Sequence, residues 1–77
     1  MKNKYAVVIE HYEEGGYGAY VPDLPGCVAA ASTREEIERL IAEAIGFHIE
    51  CLREQGNAVP PASSLVEYVE PLEFVPN

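Results

Sequence analysis

Apolar and polar positions alternate at the start of the chain and recur every three to four residues in its middle. From Lys4 to Tyr12 the run KYAVVIEHY is rich in β-branched and aromatic residues, which predicts a strand. Tyr5, Val7, Ile9 and His11 fall on one face of it, and Ala6, Val8, Glu10 and Tyr12 on the other. Glu13-Glu14-Gly15-Gly16 supplies a polar, glycine-bearing turn. A second strand, Tyr17 to Val21, stops near Pro22, which has no amide hydrogen for a ladder. Asp23-Leu24-Pro25-Gly26 follows as a compact loop, with Pro25-Gly26 suited to the centre of a type II turn. A third strand, Cys27 to Ala31, completes an antiparallel meander.

The period then changes. Ser32-Thr33-Arg34-Glu35-Glu36 is a helix start, in which the Thr33 hydroxyl accepts from the Glu36 amide and the Glu36 carboxylate reaches back. The helix should run from Arg34 to about Gln55, where Gly56-Asn57 allows a left-handed cap and Pro60-Pro61 forbids resumption. At about 100° per residue, Ile37, Ile41, Ala44, His48 and Leu52 share one stripe. Leu40, Phe47 and Cys51 flank it on one side, Ile45 and Ile49 on the other. The apolar arc covers roughly 200°, twice what a helix lying on one sheet needs. Either long side chains cover the edges of a twisted sheet, or the Leu40, Phe47, Cys51 flank is an interface with another copy or a partner.

After an extended linker, Ala58 to Ser64, the run Leu65 to Glu70 reads as a fourth strand closed by Pro71. The expected fold is α+β, in the order β-β-β-α-β. Its four-stranded mixed sheet would run 3-2-1-4, with strand four parallel to strand one after a right-handed helical crossover. Residues 1–71 would form one domain and 72–77 a loosely held tail, with no internal repeat. One helix covers one sheet face, so the other face should expose Val8, Tyr20 and Tyr68 beside Glu10. An apolar surface with an acidic rim of this kind marks a protein contact.

Composition sharpens that reading. Seventy-seven residues make one small module, with a thin margin of stability that favours a homo-oligomer, most simply a dimer. Thirteen acids against five bases give a net charge of -8, which repels nucleic acid and suits a basic protein partner. Met1-Lys2-Asn3-Lys4 is basic, but Glu10 and His11 interrupt the following apolar stretch before it could act as a signal core. No run has membrane-spanning length. Cys27 and Cys51 are expected as free thiols in a reduced cytoplasm.

Candidate chemistry is sparse. His48 and Cys51 are three apart on the helix and could hold zinc, but His11 and Cys27 lie singly on strands, and packing accounts for all four more simply. Neither cysteine has an electropositive setting that would make it a nucleophile. Glu10, Glu43 or Glu50, and Glu67 or Glu70 could be metal-binding acids of a nuclease only if they converged, and the helix acids point away from the sheet. Gly15-Gly16-x-Gly18 joins two strands and lacks the helix and lysine of a phosphate loop. No catalytic residue, metal or cofactor is expected.

The segment Glu14-Gly15-Gly16-Tyr17, the run Tyr20-Val21-Pro22-Asp23-Leu24-Pro25-Gly26-Cys27, the Thr33-x-Glu35-Glu36 helix start, the helix end Cys51-Leu52-Arg53-Glu54-Gln55-Gly56 and Val59-Pro60 together resemble the HicB antitoxin family and its short relatives. The resemblance implies a truncated ribonuclease H-like fold and a partner, a small basic HicA-like toxin that cleaves RNA and is sequestered by the antitoxin. Full-length HicB antitoxins add a C-terminal DNA-binding domain, for which the chain up to Asn77 has no counterpart, so operator binding is not expected. The leading expectation is a non-enzymatic module that neutralises such a toxin by contact, with Glu10, Glu13 and Glu14 as phosphate mimics or merely solubilising turn acids. A stand-alone oligomeric structural or adaptor protein is the alternative, and a metal-dependent nuclease a distant one.

Overall fold

A computed structural model describes residues 4–76, so the basic start Met1-Lys2-Asn3 and the last residue of the expected tail, Asn77, lie outside it. Three strands, β1 (Val8–His11), β2 (Tyr17–Tyr20) and β3 (Val28–Ala31), precede one helix, α1 (Arg34–Glu54). The sheet is antiparallel in the order β1-β2-β3, with Val8 opposite Tyr20 and Tyr20 opposite Val28.

Local chemistry sets each boundary. Tyr12 accepts at its carbonyl from the Gly15 amide and donates from its own amide to the Gly16 carbonyl, closing the β1–β2 turn. The Cys27 amide donates to the Leu24 carbonyl across Pro25-Gly26, and Gly26 has φ 86°, the arrangement of a type II turn. Thr33 caps α1 by accepting from the Glu36 amide at 3.1 Å. The Glu36 carboxylate reaches back to the Ser32 amide at 3.0 Å, one residue before the cap. At the other end Gly56, with φ 75°, lets its own amide reach the Arg53 carbonyl and the Asn57 amide reach Leu52, the paired bonds of a Schellman cap.

α1 lies on one face of the sheet, chiefly against β3 and then β2. Ile37 and Ile41 point down onto Ala19, Val21, Leu24 and Cys27, and these six make the buried core. Leu24 sits in the β2–β3 loop and is fully buried, so the proline-bounded loop is part of the core as well as a connection. Tyr5, Val7 and Ile9 pack at its margin from the β1 side, and Ala44, Ile45 and Ile49 from the helix.

The expected fourth strand is absent among the described residues: no ladder forms after α1, so neither the 3-2-1-4 order nor the parallel crossover behind the ribonuclease H likeness is present, and the fold is β-β-β-α. The reason lies in the sequence of the segment. In Leu65-Val66-Glu67-Tyr68-Val69-Glu70 one glutamate falls on each face of an extended strand, so neither face is wholly apolar, and Pro71 removes a donor. β1 and β2 are also shorter than their apolar runs, because pairing extends only from Val8–Tyr20 to His11–Tyr17.

Because Leu24 and Ile37 are the two fully enclosed large side chains, Leu24→Ala or Ile37→Ala should each cost about 2–5 kcal/mol. Thr33→Ala should cost about 1 kcal/mol through its cap. Urea unfolding followed by circular dichroism at one fixed protein concentration checks the ranking, and a Thr33 effect as large as the core effects would contradict this packing.

Candidate protein-binding surface

The face of the sheet turned away from α1 is built by alternation. Val8 on β1, Tyr20 on β2 and Val28 on β3 are register partners and form one apolar row across the sheet. The neighbouring row is Glu10, Gly18 and Ala30. Tyr20 and Val28 are exposed, and Val8 half-buried. Tyr12 folds over the bare backbone of Gly18, where a Cβ would collide with its phenol ring and hydroxyl. The tyrosine thus fills the place of the missing side chain and extends the apolar surface toward the β1–β2 turn. Glu13 and Glu14 stand exposed in that turn. On the helix side of the same sheet end, His11 stacks on Tyr17 with ring centroids 4.5 Å apart.

Of the residues expected at a partner surface, Val8, Glu10 and Tyr20 lie together on the uncovered face, and Glu13 and Glu14 continue from the end of β1. Tyr68 does not join them. It stands fully exposed in the segment after α1, outside any sheet. Val28 and Tyr12 complete the surface. Val28 could have been found from strand alternation across the meander, and Tyr12 from its position diagonal to a strand glycine.

The helix flank is a second uncovered area. Ile45 and Ile49 pack at the margin of the core, which turns Leu40, Phe47 and Cys51 outward on the other side. Leu40 and Cys51 are half-buried, while Phe47 is 73% exposed. Arg34–Glu38 and Arg39–Glu43 pairs at 3.1 and 3.2 Å lie on solvated parts of α1 and contribute little to stability.

Beyond α1 the chain is tied back by one carboxylate. The Asp23 Oδ2 accepts from the Ser63 and Ser64 amides at 2.8 and 2.9 Å, and Oδ1 from the hydroxyls of Ser64 at 2.7 Å and Ser63 at 3.3 Å. Tyr5 adds a bond from its hydroxyl to the Pro60 carbonyl. The Ser64 amide, then its hydroxyl and the Ser63 amide, hold the Asp23 carboxyl below its ordinary value. Sequence reasoning had no access to this clamp, since its partners are 40 and 41 residues apart. The residues after it, from Leu65 to Pro76, belong to no helix or sheet, and we call them the arm.

Among the described residues no three His, Cys, Asp or Glu gather in a way that could hold a metal ion. Glu10 lies on the outer sheet face, Glu43 and Glu50 are exposed on α1, and Glu67 and Glu70 are in the arm, so these acids do not meet. Cys27 and Cys51 are free thiols, and burial pushes the Cys27 thiol up from its ordinary value. His48 is half-buried on the helix. The described residues enclose no pocket, and none of their helices is long and apolar enough to cross a membrane.

The profile of the HicB-like antitoxins of bacterial toxin-antitoxin systems matches residues 5–76. The chain belongs to the HicB-like antitoxin family. A 14.9 kDa uncharacterized protein of Haemophilus phage HP1 is 36% identical over 91% of this chain and 52% of its own length. Antitoxin HicB 1 of Photorhabdus laumondii is 33% identical over 91% of this chain and 46% of its own. A UPF0150 protein of Thermoplasma acidophilum is 40% identical over 74% of this chain and 83% of its own. This HicB-like chain thus spans about half the length of the phage and Photorhabdus relatives and most of the length of the archaeal one. The matched region runs through the strands, α1, the Asp23 clamp and the arm.

Because hydrogen bonds lower the Asp23 value in the folded chain, the clamp contributes stability above the ordinary carboxylate value. That contribution is lost as pH falls through the lowered one. In an NMR titration the Ser63 and Ser64 amide shifts should move together over that acidic window. Asp23→Asn should abolish the shared step, and amides insensitive to both changes would exclude the clamp.

Proposed function

We propose that this HicB-like chain is a non-enzymatic binding module that neutralises a small, basic, RNA-cleaving HicA-like toxin by covering its RNA site in the cytoplasm. The observation that carries the reading is the sheet face left bare by the single helix, where the Val8, Tyr20, Val28 row adjoins Glu10 and the Glu13-Glu14 turn. A toxin surface shaped for phosphates attracts carboxylates, and the apolar row supplies contact area that excludes water once the two meet. The net charge of -8 favours the encounter over a long range at low salt. Membership of an antitoxin family supports a toxin as the partner.

A second reading, a stand-alone oligomeric structural or adaptor protein, has its own support. Leu40, Phe47 and Cys51 form an apolar helix flank outside the small core, and we propose that this flank is where copies of the chain associate. The two surfaces lie on different elements, so toxin binding and self-association are compatible in one molecule.

Stopped-flow binding to a cognate HicA-like protein tests the first reading. The triple change Glu10→Gln, Glu13→Gln, Glu14→Gln should slow association about tenfold at low salt and flatten its salt dependence. Val8→Ala or Tyr20→Ala should instead speed dissociation, each by roughly tenfold. Association unchanged in the triple variant would remove these acids from the interface, and a chain that binds no basic protein encoded beside it would leave the adaptor reading.

A further inference from the structure

The arm and the helix flank are both apolar and both uncovered in the single chain. Residues 65–76 read as four triplets, Leu-Val-Glu, Tyr-Val-Glu, Pro-Leu-Glu and Phe-Val-Pro, a repeat that a search for sheet alternation overlooks. An extended chain with three residues per turn places such triplets in three stripes. In that conformation Val66, Val69, Leu72 and Val75 would form one, Leu65, Tyr68, Pro71 and Phe74 the second, and Glu67, Glu70 and Glu73 the third. Seven of the arm's side chains are large, apolar and more than half exposed. The Asp23 clamp and the Tyr5–Pro60 bond fix where the arm leaves the body. The arm then runs outward, and the molecule measures 57 Å along its longest axis against 29 and 22 Å across.

We propose that the arm is exchanged between two copies of this chain, its aliphatic stripe lying along the Leu40, Phe47, Cys51 flank of the other copy's α1. The inference rests on the reading of that flank as a self-association surface and names what occupies it. Three features favour a second copy. Among the described residues only six side chains are buried, so association supplies apolar burial that the monomer lacks. Four aliphatic side chains at ~60–120 Å² each give two arms roughly 700 Å², and with about as much again from the flanks they cover the total reaches the size of a stable interface. And the arm's acids occupy a stripe of their own, so they stay in water while the aliphatic stripe is buried. Reciprocal exchange closes as a two-fold dimer.

Since each copy carries a charge of -8, salt should tighten this dimer, whereas it should weaken binding of the arm to a basic protein. Light scattering and analytical ultracentrifugation of the full chain at low and high salt should show a dimer that strengthens with salt. Replacing Val66, Val69, Leu72 and Val75 together by Ser should raise the dimer dissociation constant at least about 100-fold while leaving the circular dichroism of the body unchanged. Phe47→Asp should have a similar effect. In a mixture of isotopically light and heavy chains of a Val69→Cys variant, oxidation should join Cys51 of one chain to the new thiol of the other. A monomeric full chain overturns the exchange and the flank interface together. A Ser variant that still dimerises, with Phe47→Asp monomeric, overturns the exchange and leaves a flank-to-flank dimer. A Phe47→Asp chain that still dimerises while the Ser variant does not overturns the placement of the arm on this flank. A dimer that weakens with salt, or disulfides formed only within one chain, overturns the exchange.

Discussion

One helix can shield one side of a sheet, and in this chain it shields that side only in part. α1 sits over β3 and β2, and its buried contacts reduce to Ile37 and Ile41 against a cup formed by Ala19, Val21, Leu24 and Cys27. Everything else follows from how small that core is. The far face of the sheet keeps its apolar row in contact with water, the Phe47 side of the helix faces outward, and β1 is left as an edge strand with no strand on its outer side among the described residues. A larger protein would answer with a second layer. Among the described residues no second layer is present, and these surfaces stay uncovered.

The path of the chain after α1 is settled by hydrogen bonding at Asp23. Two serine amides that would otherwise seek partners in a ladder find both in one carboxylate, and the serine hydroxyls fill its remaining acceptor sites. The clamp holds Ser63 and Ser64 at the β2–β3 loop, immediately before the run that begins at Leu65. The same loop supplies Leu24 to the core. One short proline-bounded segment therefore anchors the body from within and directs the arm from without.

Much of this could be read from sequence, because the signals were local. The helix start at Thr33 and its end at Gly56 depend on residues within a turn of each other, as does the Pro25-Gly26 turn, and all stand where the sequence placed them. Alternation likewise put Val8, Glu10 and Tyr20 on one face. At Leu65–Glu70 β propensity points to a strand that is absent among the described residues. Valine and tyrosine favour strands, but Glu67 and Glu70 fall on opposite faces of an extended run, so neither face is wholly apolar. The Asp23 clamp was hidden for a different reason: nothing in a lone aspartate or in Ser63-Ser64 declares a bond across 40 residues of chain.

Charge and apolar area play separate parts in such a molecule. The acids lie on nearly every solvated surface: the β1–β2 turn, the outer side of α1 and one stripe of the arm. A field so widely distributed draws in a basic protein from any direction, but it cannot tell the partner where to dock. Location must come from the places where acids are missing, and those are the Val8, Tyr20, Val28 row, the Phe47 flank and the aliphatic stripe of the arm. Like-charged copies can associate through such acid-poor areas because their repulsion is screened by salt while the apolar contact is not. The sheet face, being next to Glu10 and its turn, joins both terms on one surface. This is why the face, more than the arm or the flank, suits a basic partner, and why the remaining apolar surfaces suit a second copy of the chain.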